Sequence, residues 1–186
     1  MAFGRIVYVM GPSGAGKTRL IDYARYRLDG SRPILFAHRY ITRPLGKDGE
    51  NYIALSHAEF ALRQSHGLFA CDWQAYGFDY GIGVEIRAWL KAGLIVVIDG
   101  SRGHFTAHRL DIAPVVPVLV TAKRDVLRRR LAERERDDAA SIEARLRRAE
   151  QFAPADLAIA TIDNSGAIER AGEAFLAVLA DQLPPS

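Results

Sequence analysis

Cysteine is nearly absent from the sequence: Cys71 is the only one among the 186 residues. No disulfide can therefore form within the chain, which is typical of a reducing compartment, and we expect a cytoplasmic protein. Long apolar runs are absent as well. No stretch approaches the roughly 18 apolar residues of a membrane-spanning helix, so we expect no membrane segment. The apolar start MAFGRIVYVM is short and continues into a glycine-rich loop, which indicates a strand rather than a signal peptide.

The composition is that of an ordinary globular protein. Apolar residues make up 49% of the chain and charged residues 25%. The sequence contains no internal repeat, low-complexity tract or linker, so we predict one domain over residues 1–186, long enough for a buried core. The formal net charge of +3 is compatible with an anionic ligand but is not specific for one.

Short apolar runs alternate with amphipathic segments along the chain. The runs predict strands or extended segments at residues 5–10, 33–37, 51–55, 68–72, 94–98, 115–121 and 157–162. The segments between them predict helices at residues 16–28, 56–64, 83–92, 125–135, 141–152 and 167–183, the second of which Ser56 is expected to cap. This alternation indicates an α/β fold, with a parallel sheet covered by helices on both faces. Residues 38–82 depart from it and are predicted to form an inserted lobe.

The segment GPSGAGKT, residues 11–18, matches the phosphate-binding pattern G-x-x-x-x-G-K-[ST] between a predicted strand and a predicted helix. Its glycines allow a tight turn that brings successive N–H groups and a helix N-terminus to the phosphate oxygens. Lys17 is predicted to reach the β- and γ-phosphates as a catalytic residue, and the Thr18 hydroxyl to bind Mg²⁺, so we expect ATP and Mg²⁺ as cofactors. The predicted nucleotide-binding residues of the loop are Gly11, Pro12, Ser13, Gly14, Ala15, Gly16, Lys17 and Thr18.

Asp99 directly follows LIVVI, the clearest buried strand of the sequence. Ligands of open α/β sheets bind at the carboxyl ends of the strands, so Asp99 is predicted to contact Mg²⁺ through a water molecule. A structural hydrogen bond is the alternative. The spacing of His38, His104 and His108 does not suggest a further metal site.

Several segments, taken in order, resemble the guanylate kinase family of P-loop phosphotransferases. After the P-loop, Thr42-Arg43-Pro44 matches the acceptor segment of that family, and Asp72-Trp73 followed by Tyr80-Gly81 matches a later element. The resemblance covers nearly the whole chain. It implies a three-layer P-loop NTPase fold with its core at residues 1–37 and 83–186, an acceptor-binding lobe at about 38–82 and a helical lid at about 124–150.

Three departures separate the chain from a true guanylate kinase. Ile41 stands where the family has threonine, the second acceptor arginine after Pro44 is missing, and Asp72 is shorter than the glutamate that reads guanine. Together with HRYITRP, ENYIALSHAEF, LFACDWQAYGFDYGIG and DGSR, these departures resemble the ribose 1,5-bisphosphate phosphokinase group of bacterial phosphonate breakdown. That resemblance implies transfer of the ATP γ-phosphoryl group to the 1-phosphate of ribose 1,5-bisphosphate, which gives 5-phosphoribosyl 1-diphosphate (PRPP) and ADP.

The resemblance also implies particular site residues. The implied acceptor-binding residues are Arg39, Arg43, Tyr52, Asp72 and Tyr80. In the lid, Arg134 and Arg145 are implied as catalytic residues and Arg136 as a nucleotide-binding residue, because planar guanidinium groups suit phosphates. The alternatives are a surface role for Arg39 and Arg43, core packing for Tyr80 and a local pairing for Asp72. Most other arginines of residues 124–148 are expected to pair with acidic neighbours on a solvated helix face.

Three competing functions fit parts of the sequence. A nucleoside monophosphate kinase acting on GMP is the first, and a guanylate-kinase-like binding module without catalysis is the second, although its P-loop would be expected to be broken. A nucleic-acid binder is the third, but acidic residues interrupt the basic helices and no aromatic platform accompanies them. We expect a small-molecule acceptor, no nucleic acid, and a monomer or homodimer.

Overall fold

A computed structural model describes residues 4–44, 51–107, 111–133, 138–150 and 160–183 of the chain. Its strands are β1 (Arg5–Met10), β2 (Ile34–Phe36), β3 (Arg39–Ile41), β4 (Tyr52–Ala54), β5 (Phe69–Ala75), β6 (Phe78–Gly83), β7 (Ile95–Asp99), β8 (Val115–Thr121) and β9 (Ala160–Asp163). Its helices are α1 (Lys17–Leu28), α2 (His57–Ser65), α3 (Glu85–Lys91), α4 (Arg102–Ala107), α5 (Arg124–Ala132), α6 (Ala139–Glu150) and α7 (Ile168–Ala180).

A five-stranded sheet runs in the order β2-β7-β1-β8-β9. Strands β2 and β7 are parallel, with Ile34 opposite Ile95, and so are β8 and β9, with Val118 opposite Ala160. Successive residues of β1 and β7 are buried, which is typical of interior strands covered on both faces. The predicted α/β fold with a central parallel sheet is therefore confirmed.

The chain divides into two compact units. The first consists of Met1–Tyr8 and Gly30–Val115, and the second of Val9–Asp29 and Val116–Ser186. The predicted acceptor lobe falls within the first unit and the predicted lid within the second. That residues 1–186 form one domain stays a prediction.

The first unit contains a second sheet, in the order β4-β3-β6-β5. Strand β3 is parallel to β4 and antiparallel to β6, which is antiparallel to β5. This sheet and α2 make up the described part of the inserted lobe. Ser56 caps α2 as predicted, because its hydroxyl accepts a hydrogen bond of 3.1 Å from the N–H of Glu59.

Some elements of the first unit differ from the prediction. The helix predicted at residues 83–92 is shorter, because FDYGIG forms β6 as far as Gly83 and α3 begins only at Glu85. The glycines of β6 weaken its strand signal in the sequence. Strand β3 and helix α4 were not predicted, since three and six residues are too few to show a period.

The two faces of the second sheet carry different side chains. Directly opposed residues of adjacent strands share a face, and successive residues of one strand alternate between faces. One face, here called the Tyr52 face, holds a buried cluster of Ile41, Tyr52 and Tyr80. The opposite face, here called the α2 face, holds Tyr40 and Phe69, whose rings pack together, and Phe69 also packs on α2.

The second unit contains β8, β9, α1 and α5 to α7. Helices α1 and α7 approach closely at Gly172, where a Cβ atom would lie 2.3 Å from the ring of Tyr23. Helices α5 and α6 confirm the two helices predicted at residues 125–135 and 141–152 to within a few residues, as far as these ranges are described, and ion pairs from Arg124 and Arg128 to Glu143 connect them. That they act as a lid stays a prediction. Residues 134–137 and 151–159 lie outside the described residues. No helix in the described part of the chain has the length and hydropathy needed to cross a bilayer.

Candidate active site

A glycine-rich loop at residues 11–16 connects β1 to α1, as the sequence predicts. Gly16 is the N-cap of α1 and has a left-handed backbone, with a φ of 84°. A Cβ atom at this position would also lie only 2.5 Å from Nδ2 of Asn164. Glycine is therefore needed here both for the turn and for the close approach of the neighbouring segment.

The first turn of α1 is suited to an anion. It contains no acidic residue, and its N-cap makes no side-chain hydrogen bond. Nζ of Lys17, the first residue of the helix, donates a hydrogen bond of 3.1 Å to the carbonyl oxygen of Gly11 at the other end of the loop. Backbone N–H groups, the positive end of the helix dipole and an ammonium group thus meet at one loop, which is the arrangement of a phosphate-binding site.

Two residues that the sequence did not indicate support this loop. Arg130 on α5 directs Nη1 at the carbonyl oxygens of Gly14 and Ala15, at 3.4 and 3.5 Å, and donates from Nη2 to the carbonyl oxygen of Asn164 at 2.9 Å. Asn164, which is 2% exposed, donates from Nδ2 to the oxygen of Ala15 at 2.7 Å. These donors fix the orientation of two peptide groups of the loop, and with them the direction of its N–H groups.

The sequence carries little signal for either residue. Arg130 is one of three consecutive arginines, and its neighbours Arg128 and Arg129 are exposed. Asn164 directly follows β9, at the end of a strand where ligand sites of α/β sheets form, so its position was the signal that could have identified it.

One predicted lid residue contacts the loop. Nη1 of Arg145 on α6 donates a hydrogen bond of 3.1 Å to Oγ of Ser13. Arg147 on the same helix is exposed. The other two predicted lid residues, Arg134 and Arg136, lie outside the described residues.

In the first unit, the Tyr52 face brings Arg39 and Asp99 together. Nη1 of Arg39, on β3, lies 3.0 Å from Oδ2 of Asp99, at the end of β7. The two side chains are 14% and 9% exposed, so the ion pair is largely shielded from water. The sequence predicted separate ligands for these residues and did not predict that they pair.

Arg43 lies beside Tyr52, as expected for two residues of one site. Its guanidinium carbon is 4.8 Å from the centre of the Tyr52 ring, and the Tyr52 hydroxyl donates to the carbonyl oxygen of Pro44 at 2.7 Å. The turn before Arg43 is held by Thr42, whose hydroxyl accepts a hydrogen bond of 2.8 Å from the N–H of Asp79. Hydrogen bonds therefore hold the residue before Arg43 and the residue after it in place.

The structure separates the last two predicted acceptor residues. Tyr80 lies on the Tyr52 face, where its ring stacks on that of Trp73 with 5.6 Å between centres and 5° between planes. Asp72 lies on the opposite face, and its Oδ2 accepts a hydrogen bond of 2.6 Å from Nε2 of Gln64 on α2. The structure therefore does not bring Asp72 together with Arg39, Tyr52 and Tyr80.

Cys71, rather than Asp72, shares the Tyr52 face, because it lies opposite Ile82 in the strand register. Burial raises the pKa of the Cys71 thiol to about 12. The side chain is therefore a neutral thiol at neutral pH and a poor nucleophile. Arg39 and Arg43 bring two guanidinium groups to this face against the single carboxylate of Asp99, and this excess of positive charge suits the binding of an anion.

The described residues do not form a metal site by themselves. Across the described ranges, no group of three His, Cys, Asp or Glu side chains could hold a metal ion. Mg²⁺ commonly binds through one or two protein oxygens together with substrate phosphates. The hydroxyl of Thr18, in the first turn of α1, is an oxygen donor of this kind. The donor set therefore fits a magnesium ion that arrives with a nucleotide.

The chain has close relatives along nearly its whole length. It is 47% identical over 175 residues to a protein of Desulfomicrobium baculatum described as ribose 1,5-bisphosphate phosphokinase PhnN, and the match covers 94% of both chains. It is 48% identical over 181 residues to a protein of the same description from Burkholderia mallei, over 96% of this chain and 97% of that one.

The fold also has a counterpart among solved structures. The guanylate kinase from Anaplasma phagocytophilum superposes with a TM-score of 0.69 and 19% sequence identity, over 98% of this chain and 88% of that one. At this identity the likeness concerns the fold alone, and it confirms the predicted guanylate-kinase-like architecture. No protein-family model matches the chain.

Proposed function

The chain belongs to the ribose 1,5-bisphosphate phosphokinase family, and we propose that it transfers the γ-phosphoryl group of ATP to the 1-phosphate of ribose 1,5-bisphosphate. The products are PRPP and ADP. The family relationship over nearly the full length of both chains is the observation that carries this proposal. A cytoplasmic location is part of the same proposal, because ATP is available there and the single cysteine stays reduced.

The nucleotide is assigned to the second unit. The loop N–H groups and the N-terminus of α1 would bind the phosphates, with Lys17 at the β- and γ-phosphates. The hydrogen bond from Lys17 to Gly11 keeps the ammonium group over the loop. Arg145 is assigned to the transferred phosphoryl group, because it contacts Ser13 of the same loop from α6.

The acceptor is assigned to the Tyr52 face of the first unit. Ribose 1,5-bisphosphate carries two phosphates and no base, so its recognition requires cations more than base-reading groups. Arg39 and Arg43 provide two guanidinium groups on this face, which can form paired hydrogen bonds with phosphate oxygens. Tyr52 and Tyr80 complete the assignment, whereas Asp72 is left out of it, since its carboxylate is bonded to Gln64 on the opposite face.

The reaction needs no general base. An oxygen of the acceptor 1-phosphate, which is already anionic at neutral pH, attacks the γ-phosphorus and forms the new P–O bond. The bond between the γ-phosphorus and the β–γ bridging oxygen breaks, and ADP leaves with the electron pair. Cationic groups must neutralise and align the two anions, and Lys17 and Arg145 are assigned this task.

Magnesium is included in the proposal as the partner of the nucleotide. The hydroxyl of Thr18 is assigned as a direct ligand, and Asp99 as a ligand through water. When bound, Mg²⁺ would neutralise charge on the β- and γ-phosphate oxygens.

The test is a coupled assay of ADP release with ATP and Mg²⁺, comparing ribose 1,5-bisphosphate with GMP as acceptor. Product identity is checked by phosphorus NMR, which distinguishes a diphosphate at C1 from the substrate. Turnover with the sugar bisphosphate and little with GMP is expected. Turnover with GMP alone would overturn the acceptor assignment.

Two variants show whether the measured activity belongs to this chain. Lys17→Ala is expected to lower kcat at least about a hundredfold, as for the loss of a group that stabilises transition-state charge, without unfolding the protein. Arg19→Ala is the matched control, because Arg19 is an exposed cation two residues further along α1. Near-normal turnover of the Lys17→Ala variant would contradict the P-loop assignment.

A further inference from the structure

Tyr8 is a buried tyrosine of β1 whose hydroxyl makes several hydrogen bonds. Its side chain is completely buried, and the hydroxyl accepts a hydrogen bond of 3.0 Å from the N–H of Ser101. The same oxygen lies 3.2 Å from the carbonyl oxygen of Ser101 and 3.2 Å from Nδ1 of His104. Burial raises the pKa of Tyr8, so the hydroxyl keeps its proton and can donate to one of these acceptors.

The tyrosine ring also shapes the segment that follows β7. A Cβ atom on Gly100 would lie 2.1 Å from Cζ of Tyr8, so the backbone at Gly100 rests directly on the ring. With the ring beneath Gly100 and the hydroxyl bound to Ser101, Tyr8 fixes the two residues after Asp99. Asp99 is the partner of Arg39 at 3.0 Å. A shift of this segment would move the carboxylate that orients the arginine.

A second line of contacts runs through His104, which is 8% exposed on α4. Its ring is nearly parallel to that of Tyr8, with 6.3 Å between centres, and lies 5.6 Å from the ring of Trp73. Trp73 in turn stacks on Tyr80. The hydroxyl of Tyr8 is thus connected by packed rings to the aromatic residues of the Tyr52 face.

We propose that Tyr8 is a positioning residue for acceptor binding, acting through Ser101 on the Arg39–Asp99 pair and through His104 on Trp73 and Tyr80. Tyr8 does not touch the acceptor itself. The proposal rests on the proposed function, since it takes the Tyr52 face as the acceptor site. All the contacts that carry it lie within the first unit.

The test is the conservative variant Tyr8→Phe, which removes one oxygen atom and keeps the ring that supports Gly100. Loss of the buried hydrogen bond is expected to change the binding equilibrium roughly tenfold, which corresponds to about 1.4 kcal/mol. The Michaelis constant for ribose 1,5-bisphosphate is therefore expected to rise about tenfold, with that for ATP within twofold of the parent. Tyr23→Phe is the matched control, because its hydroxyl donates to Glu173 at 2.8 Å on an exposed surface.

Hydrogen exchange gives a readout that does not depend on turnover. The amide of Ser101 donates to Tyr8, so its exchange is expected to accelerate in Tyr8→Phe and not in Tyr23→Phe. A second variant, His104→Phe, removes Nδ1 but keeps a ring against Trp73, and a smaller rise in the same Michaelis constant is expected. It provides an independent measurement if Tyr8→Phe is poorly folded.

The outcomes separate the two proposals. If the parent enzyme does not use ribose 1,5-bisphosphate, the proposed function fails whatever the variants do. If the parent is active and both variants leave the acceptor Michaelis constant unchanged, or raise both Michaelis constants equally, the positioning role of Tyr8 is overturned. A lower melting temperature with unchanged Michaelis constants would likewise assign Tyr8 to stability alone.

Discussion

Arg39 and Asp99 form an ion pair across the first unit, with Nη1 of the arginine 3.0 Å from Oδ2 of the aspartate. Both side chains are largely shielded from water. Charges interact more strongly in such an environment than at the protein surface. Each residue therefore compensates the charge of the other. Binding of a phosphate by Arg39, or of water-bound Mg²⁺ by Asp99, would change the compensation of its partner.

Removal of one member of this pair is expected to destabilise the protein. Arg39→Met removes the guanidinium that pairs with the shielded Asp99 carboxylate, so the free energy of unfolding should fall by about 3 kcal/mol. The double variant Arg39→Met/Asp99→Leu should recover much of this loss. Urea denaturation measures the free energy of unfolding of the single and the double variant. Arg25→Met is the control, since Arg25 pairs with Asp22 at an exposed site and should cost less than about 1 kcal/mol. Equal losses for Arg39→Met and Arg25→Met would show that the Arg39–Asp99 pair has no special energetic role.

Arg130 is expected to affect the nucleotide rather than the acceptor. Arg130→Met removes the donors to Gly14, Ala15 and Asn164, so the loop loses part of its fixed conformation. A net contribution of about 1 kcal/mol for each hydrogen bond gives a rise of about tenfold or more in the Michaelis constant for ATP. Arg129→Met, at an exposed neighbouring position, serves as the control. A change confined to the acceptor would contradict the support role.

Arg145 is expected to act on turnover. Arg145→Ala removes the guanidinium that contacts Ser13, and the loss of one donor to a transition state typically lowers kcat about 10²- to 10³-fold. Arg147→Ala removes an exposed arginine from the same helix and should leave kcat nearly unchanged. Steady-state kinetics at saturating substrates distinguish the two variants. Similar values of kcat for both would exclude a catalytic role for Arg145.

Arg43 is expected to contribute to acceptor affinity. Arg43→Ala removes a charged donor, worth about 1.5–3 kcal/mol, so the acceptor Michaelis constant should rise about 10- to 100-fold and that for ATP should not. Arg63→Ala is a close control. Arg63 also lies over a tyrosine, with 5.0 Å to the ring of Tyr40, but on the α2 face. If Arg63→Ala raised the Michaelis constant for the acceptor as much as Arg43→Ala, the assignment of the acceptor site to the Tyr52 face would be wrong.

Cys71 is expected to be unreactive in the folded protein. At pH 8 its pKa of about 12 leaves roughly 2,000-fold less thiolate than in an unfolded chain, whose cysteine has a pKa near 8.5. Labelling by iodoacetamide should therefore be slow under native conditions and fast in guanidinium chloride. The raised pKa also makes the free energy of unfolding depend on pH. Above pH 8.5 the unfolded chain releases the thiol proton and the folded protein retains it, so stability falls as the pH rises. Rapid native labelling would contradict this burial.

Local patterns predicted the elements that depend on neighbouring residues. The P-loop could be identified because its glycines, Lys17 and Thr18 are adjacent in sequence and lie between a strand and a helix. The cap at Ser56 and the buried strands β1 and β7 could also be predicted, because each depends only on residues that are adjacent in sequence. Strand β6 was missed because its glycines hide the strand pattern, and its register is what places Asp72 and Tyr80 on opposite faces.

The sequence by itself determined the fold class, the glycine-rich P-loop and the family, since each is recorded in short or ordered stretches of residues. Only the tertiary structure decided which distant side chains meet. Arg130 reaches Gly14 from 116 positions away, and Arg39 finds Asp99 on another sheet. These contacts arise from strand register and helix packing, and a run of similar residues such as three consecutive arginines gives no local sign of which one faces the site. Composition and spacing constrain the chain locally, whereas the pairing of buried charges is fixed only when separate elements are brought together.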